Sequence, residues 1–120
     1  MSIGSDVRGI SAVIGLVSGR WVLAILAEIT AAAMRHSELL SAIDGISEKV
    51  LTETLRRMER DGLVAREVGS RLPSRVLYRV TPLARSLDDP LRGLLAWQDA
   101  NWREVEDSRQ HWDSIEIHNF

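Results

Sequence analysis

A chain of 120 residues with 45% hydrophobic and 27% charged side chains has the balance of one ordinary globular domain and is too short for two. The sequence has no cysteine, which excludes thiol nucleophiles, disulfide scaffolds, thiolate zinc sites and cysteine redox sensing. The net charge of −2 is unevenly spread, since residues 1–34 sum to 0, residues 35–79 to +2 and residues 80–120 to −4. The middle third is therefore the only basic part of the chain.

The apolar stretch from Ile10 to Met34 raises the question of a membrane segment. Arg20 and Glu28 interrupt it, so no uninterrupted apolar run approaches the roughly 20 residues that span a bilayer. Residues 1–9 also lack the net positive segment of a signal peptide. The sequence therefore predicts a cytoplasmic protein that does not bind a membrane.

Two helices are predicted in the first third of the chain. Ser18 is the predicted N-cap of the second helix, whose apolar stripe runs from Trp21 to Ile29. This helix is expected to end between Thr30 and Ala33. The first helix is predicted from apolar residues at positions i, i+3, i+4 and i+7, namely Ile10, Val13, Ile14 and Val17.

A pair of helices joined by a tight turn is predicted next. Ser37 is a candidate N-cap for a third helix, which stops at the turn dipeptide Asp44-Gly45. Ser47 then opens a fourth helix, Glu48–Arg60, which ends at Asp61-Gly62. On a helical wheel the apolar face of this fourth helix holds Leu51, Leu55 and Met58, and the opposite face holds Lys49, Thr52, Glu53, Arg56 and Arg60.

The hydrophobic period then changes from 3.6 to 2, which predicts a β-hairpin. Its strands lie near residues 64–68 and 76–80, and its loop contains Pro73 and arginine side chains. Thr81-Pro82 is typical of a helix cap followed by proline, and Asp89-Pro90 repeats the pattern. The final helix, roughly 30 Å long, is too long for so small a domain to cover. Its apolar stripe, which includes Leu91, Leu94, Leu95, Trp102 and Val105, predicts a partner.

Helix, helix, turn, helix and hairpin is the order of a winged helix-turn-helix, a mainly α fold with a small β-hairpin. In that fold the helix after the turn enters the DNA major groove. Lys49 and Arg56 lie two turns apart and are predicted to contact guanine edges or phosphates of double-stranded DNA. Thr52 lies between them and has the length to reach a base edge or a thymine methyl.

Further DNA contacts are predicted at the helix N-termini and in the hairpin loop. The N-termini near Ser37 and Ser47 present backbone N–H groups that attract phosphate. Arg71, Arg75 and Arg79, on or beside the loop, are predicted to contact phosphates or to enter the minor groove. A charged helix face by itself is usually only solvated, so the joint order of elements carries this interpretation.

Several motifs resemble the HxlR-type winged-helix transcriptional regulators of bacteria. The resemblance runs from about Gly19 to Trp97, and its densest block is Gly45–Val64. It implies a homodimer built through the first and last helices, residues 1–18 and 89–112, with the helix-turn-helix and wing in residues 34–80. It also implies an imperfect palindromic operator. The motifs are Gly19-Arg20-Trp21, Arg35–Leu39, Gly45–Thr52, Leu55–Val64 and Tyr78–Thr81.

The resemblance implies a role for individual residues, and the chain also departs from the pattern. Recognition-helix residues carried over by position are Ser47, Lys49, Thr52 and Arg56, and the wing residues are Arg71 and Arg75, near Pro73. Among the departures, Arg20 replaces the usual Lys and Ala84 a common Gly. His36 stands where Phe is common. Because many such regulators sense oxidants through a cysteine, the absence of any thiol excludes that switch here.

A small planar apolar effector is one hypothesis for the signal, with Trp21, Trp97 and Trp102 as its binding residues. The alternative is that these side chains only fill the core and the dimer seam. The three histidines have no metal-ligand spacing and no catalytic constellation is present, so no metal, cofactor or enzymatic activity is expected. The predicted function is a homodimeric transcriptional repressor, and the alternative is a winged-helix module that binds another protein.

Overall fold

The computed structural model describes residues 7–68 and 76–118, and these residues contain six α-helices and three β-strands. The chain divides into two compact units, one ending at Arg85 and one beginning at Ser86. In chain order the elements are α1 (Val7–Val17), α2 (Val22–Ile29), β1 (Met34–Arg35), α3 (His36–Ala42), α4 (Glu48–Arg60), β2 (Val64–Val68), β3 (Val76–Val80), α5 (Pro82–Arg85) and α6 (Asp88–His118).

The predicted N-cap of the second helix is wrong. α2 begins at Val22, and its N-cap residue is Trp21, whose side chain makes no capping hydrogen bond. Ser18 does not cap α2, because its backbone N–H donates to the carbonyl oxygen of Ile14 at 2.8 Å and so continues the last turn of α1. Within the described residues no single helix is long and apolar enough to cross a membrane; Ser11–Val17 and Val22–Ile29 pass that test only as a pair bent by 62°.

The helix-turn-helix is formed by α3 and α4. The prediction that Ser37 caps α3 is wrong, because the N-cap is Arg35, whose N–H donates to the carboxylate of Glu38 at 2.9 Å. Ser37 therefore lies inside the first turn. Gly45, in the turn between the helices, has a φ of 84°, which an L side chain rarely adopts.

The bounds of α4 agree with the sequence prediction at both ends. Its first turn is capped by Ser47, whose Oγ accepts the N–H of Val50 at 3.1 Å. At its C-terminal end the chain turns through Gly62, with a φ of 81°. These two ends fix which residues of α4 face inward and which face outward.

The predicted hairpin is present as part of a three-stranded antiparallel sheet in the order β1-β3-β2. β2 and β3 form the hairpin, and Val64 pairs with Val80 at its base. The two-residue strand β1, which the sequence did not predict, pairs Met34 with Tyr78. Beyond β3, Thr81 caps α5 by accepting the N–H of Ala84 at 3.1 Å, and its hydroxyl donates to the carbonyl of Gly62 at 2.6 Å.

The core of the first unit lies among α2, α3, α4 and the start of β2. The largest fully buried side chains are those of Val22, Ile25, Ile29, Leu39, Leu51, Leu55, Met58 and Leu63. All are aliphatic or methionine, so burial of apolar surface holds the unit together. The second unit is described from Ser86 to His118 and consists mainly of the single helix α6, which is 31 residues long and so about 46 Å.

Candidate nucleic-acid interface

The outer face of α4 carries exposed charged side chains. Leu51, Leu55 and Met58 are buried in the first unit, so the helix cannot rotate without exposing them. Lys49 and Arg56 are both exposed on the opposite side, as the sequence analysis predicts. Their side chains are free to reach a partner, because neither is covered by the protein's own residues.

Glu53 is also exposed on this face, and its position in the sequence did not indicate a role for it. It lies between Lys49 and Arg56 along the helix and carries the opposite charge. A carboxylate there lowers the positive potential of the face, and it is an acceptor suited to the amino group of cytosine. The face therefore combines three cationic side chains, those of Lys49, Arg56 and Arg60, with one anionic acceptor.

Thr52 is half-buried beside the cationic pair and is held by a residue of α3. The Nε2 atom of His36 lies 3.0 Å from the Oγ1 atom of Thr52, within hydrogen-bond distance. Sequence reasoning missed this contact because it joins residues 16 positions apart in two different helices. The departure at His36 from the common Phe was the only signal of it in the sequence.

The N-terminus of α4 is open to solvent. Ser47 and Glu48 are exposed, and the Ser47 hydroxyl already satisfies the N–H of Val50. The N–H groups of Glu48 and Lys49 have no acceptor within the helix, as in any first turn. Ser37, in the first turn of α3, is exposed as well. Both serines can therefore be approached by a phosphate.

Arg57 points away from the outer face of α4. A Cβ built on Gly19 would meet the Nη2 atom of Arg57 at 2.6 Å, so the guanidinium rests against the backbone before α2. This side chain joins α4 to the Gly19-Arg20-Trp21 motif. The contact could not be predicted from the spacing of charges along α4.

The wing is described only in its two strands. Arg71 and Arg75, which are predicted to contact DNA, lie outside the described residues, as does Pro73 between them. In the strands, Arg79 donates from Nε to Oε1 of Glu67 at 2.7 Å and from Nη2 to Oε2 at 3.3 Å. This hydrogen bond and the positive charge of Arg79 lower the pKa of Glu67. The same bond and the negative charge of Glu67 raise the pKa of Arg79.

The tryptophans assigned to an effector are distributed over both units. Trp21 is half-buried, with the guanidinium of Arg20 4.6 Å from its ring centroid and its Cη2 atom 3.8 Å from a Cβ built on Gly45. Trp97 and Trp102 lie on α6, five positions apart, which places them about 140° apart around the helix. They therefore lie on different sides of α6.

A groove runs along one side of α6. Trp97 lines it, whereas Trp102 is not among its lining residues and carries the guanidinium of Arg109 5.1 Å from its ring centroid. The volume of the groove is about 390 Å³, and its lining residues are Trp97, Asn101, Glu104, Val105, Ser108 and Arg109.

Two tightly joined helices with an exposed second helix, followed by a β-hairpin, define a winged helix-turn-helix protein. Comparison with known proteins supports this class. A family model described as HxlR-like helix-turn-helix matches residues 16–106. The HTH-type transcriptional regulator YtcD of Bacillus subtilis (strain 168) is 35% identical over 88 residues, which cover 73% of this chain and 70% of that protein.

Solved structures agree with the sequence comparison. A transcriptional regulator of the MarR family from Enterococcus faecalis V583 is similar with a TM-score of 0.74 and 38% identity, over 81% of this chain and 88% of that chain. Quinone-bound YodB from B. subtilis is similar with a TM-score of 0.68 and 26% identity, over 78% of this chain and 98% of that chain.

The chain belongs to the HxlR-like helix-turn-helix family. It is a DNA-binding transcriptional regulator and not an enzyme. The winged helix-turn-helix fold and the family predicted from the motifs are thus confirmed.

Proposed function

We propose that this regulator binds duplex DNA sequence-specifically by inserting α4 into the major groove. The observation that carries the proposal is the outward position of Lys49 and Arg56 on a helix whose other face is buried. Both side chains are long enough to reach guanine edges or flanking phosphates, and Thr52 supplies a base-edge contact. The further contacts proposed are those of Ser37, Ser47, Arg71 and Arg75 with the backbone or minor groove.

A salt titration tests this proposal. Binding of the purified protein to a labelled duplex is measured by fluorescence anisotropy between about 50 and 200 mM salt. The logarithm of the affinity should fall linearly with the logarithm of the salt concentration, with a slope near −0.9 for each phosphate neutralised. A protein that ignores duplex DNA at low salt contradicts the proposal, as does one whose affinity does not depend on salt.

The protein is proposed to act as a homodimer through residues 1–18 and 89–112. Val13 and Ile14 of α1 are half-exposed, and α6 displays an apolar series in which Leu94 is 63% exposed and Trp97 56%. A two-fold pairing of identical helices would cover these side chains on both copies. Sedimentation equilibrium should give twice the chain mass of 13.4 kDa, and Leu94→Glu should shift the protein towards monomer. A wild-type protein that is monomeric at micromolar concentration contradicts the dimer.

The operator is proposed to be an imperfect palindrome, because a two-fold dimer presents α4 twice. The half-site centres should be about 34–36 Å apart, one turn of DNA. Bound at a promoter in the bacterial cytoplasm, such a dimer represses transcription by excluding polymerase. Sequences selected from a randomised duplex library should contain inverted repeats at that spacing. Selection of an unrepeated half-site contradicts this arrangement.

A small planar apolar effector is proposed to release the DNA. The groove beside Trp97 supports an aromatic site on α6, and the half-buried Trp21 is a second candidate in the first unit. The related YodB is known in a quinone-bound form. Since this chain has no cysteine, it would hold such a molecule without a thiol bond. A 1,4-naphthoquinone should quench tryptophan emission and weaken DNA binding, and Trp97→Leu should reduce both effects. No change in emission and affinity contradicts the proposal.

A further inference from the structure

The hydrogen bond between His36 and Thr52 links the first residue of α3 to the outer side of α4. Its length is 3.0 Å between Nε2 and Oγ1, and both side chains are half-buried. Half-burial holds the imidazole in place and still leaves the threonine accessible from solvent. The contact joins the two helices of the helix-turn-helix through polar side chains next to the proposed DNA-binding surface.

Thr54, on the same helix, shows how a threonine behaves there without such a partner. Its hydroxyl donates to the carbonyl of Val50, four residues earlier, at 2.7 Å. This is the ordinary bond of a threonine inside a helix, and it occupies the only hydroxyl proton. Thr52 departs from that pattern, because its hydroxyl forms a hydrogen bond with the imidazole of His36. The remaining hydrogen-bond capacity of Thr54 is thus fixed, whereas that of Thr52 depends on which of the two groups donates in its bond with His36.

Thr52 also lies where a base edge would be read. It follows Lys49 by three residues and precedes Arg56 by four, so it occupies the same half of the α4 surface as both. If Nε2 of His36 donates, the Thr52 hydroxyl keeps its proton for an acceptor such as guanine O6 or thymine O4. If Nε2 accepts, the hydroxyl keeps only lone pairs, which suit the amino group of adenine or cytosine.

We propose that His36 is a specificity-determining residue that acts through Thr52, by fixing the direction of its hydroxyl and hence the base it selects. The inference rests on the proposed insertion of α4 into the major groove. His36 need not touch DNA for this role, so it is a positioning residue. Its effect is confined to the base pair that Thr52 contacts in each half-site.

The test is selection from a randomised duplex library with the full-length protein and its variants. His36→Phe keeps a ring without nitrogen, and Thr52→Val removes the hydroxyl at constant shape. Both should relax the preference at the same single position of each half-site, by about tenfold in relative affinity, which is about 1.4 kcal/mol. The double variant should relax it no further, because the two residues act as one unit.

Two amides of different length separate positioning from general packing. His36→Gln places a polar nitrogen at the reach of Nε2 and should retain the wild-type preference. His36→Asn is too short to reach Thr52 and should lose it. Thermal unfolding midpoints are measured for every variant, and any variant that does not fold is replaced in the comparison by the remaining substitutions at His36.

Three outcomes overturn the inference. His36 variants that keep the wild-type base preference while Thr52→Val changes it show that His36 does not act through Thr52. The same conclusion follows if the two sites alter different positions. A wild-type protein that selects no sequence removes the proposed function and this inference together, whereas selection by the wild type with no effect at His36 removes the inference alone.

Discussion

The guanidinium of Arg57 rests on Gly19, which joins the recognition helix α4 to the turn that precedes α2. A Cβ at Gly19 would lie 2.6 Å from Nη2 of Arg57 and 3.2 Å from Cγ2 of Val22. Arginine can swing its far end away, but Val22 is fully buried and cannot move as freely. Gly19 does not have a positive φ, so the backbone conformation does not require glycine here. Glycine is needed because Arg57 and Val22 approach the backbone closely.

Gly19→Ala should therefore destabilise the first unit by about 1 kcal/mol, within the range for overpacking of a close contact. Urea unfolding followed by tryptophan emission measures the change. Gly15→Ala is the matched control, because nothing lies within 4 Å of a Cβ at that position in α1. That control should stabilise the helix slightly, as alanine usually does in place of glycine. Equal effects of the two substitutions would contradict the packing argument.

Ser47→Ala should lower the free energy of unfolding by about 1 kcal/mol, because the N–H of Val50 loses its acceptor. The measurement is again urea unfolding. Ser41→Ala provides the comparison, since Ser41 is an exposed serine within α3 and does not occupy a cap position. A loss at Ser41 as large as the loss at Ser47 would show that the cap has no special role.

The Glu67–Arg79 pair should make the stability of the hairpin depend on acid. The pKa of Glu67 is lowered in the folded protein, so ionised Glu67 stabilises the folded state. This stabilisation is fully present above the ordinary glutamate pKa, about 4.3, and is lost as pH falls through the lowered pKa. The effect is small, since both side chains are about half-exposed. Unfolding midpoints of wild type and Glu67→Gln should differ at pH 6 and converge in strong acid. A difference that persists unchanged in strong acid contradicts the assignment.

The sequence alone predicts α4 correctly because three independent signals agree there. Ser47 marks the start, the 3.6-residue period identifies the buried face, and Gly62 marks the end. The hairpin is also predicted correctly, because the period-2 pattern of side chains in residues 64–68 and 76–80 is long enough to indicate two strands.

Other features depend on contacts between residues distant in sequence. The strand Met34–Arg35 is too short to show any alternation and exists only through its pairing with β3. Ser18 and Ser37 are good cap residues, but neither occupies an N-cap position. The N-cap of α2 is Trp21, and that of α3 is Arg35, whose backbone N–H bonds to Glu38. The His36–Thr52 bond likewise joins two helices, so no local pattern indicates it.

Lys49 and Arg56 are proposed to contact DNA, and substitution of each by alanine measures that contact. Lys49→Ala and Arg56→Ala are compared with Arg85→Ala, which removes the same charge from a side chain that donates to the carbonyl of Thr30, the C-cap residue of α2. Affinity is measured for a selected duplex and for a random duplex. Each α4 variant should weaken binding to the selected duplex by about 1–3 kcal/mol, whereas Arg85→Ala should bind it with nearly wild-type affinity. Equal affinity of all three variants and the wild type on the selected duplex would contradict it.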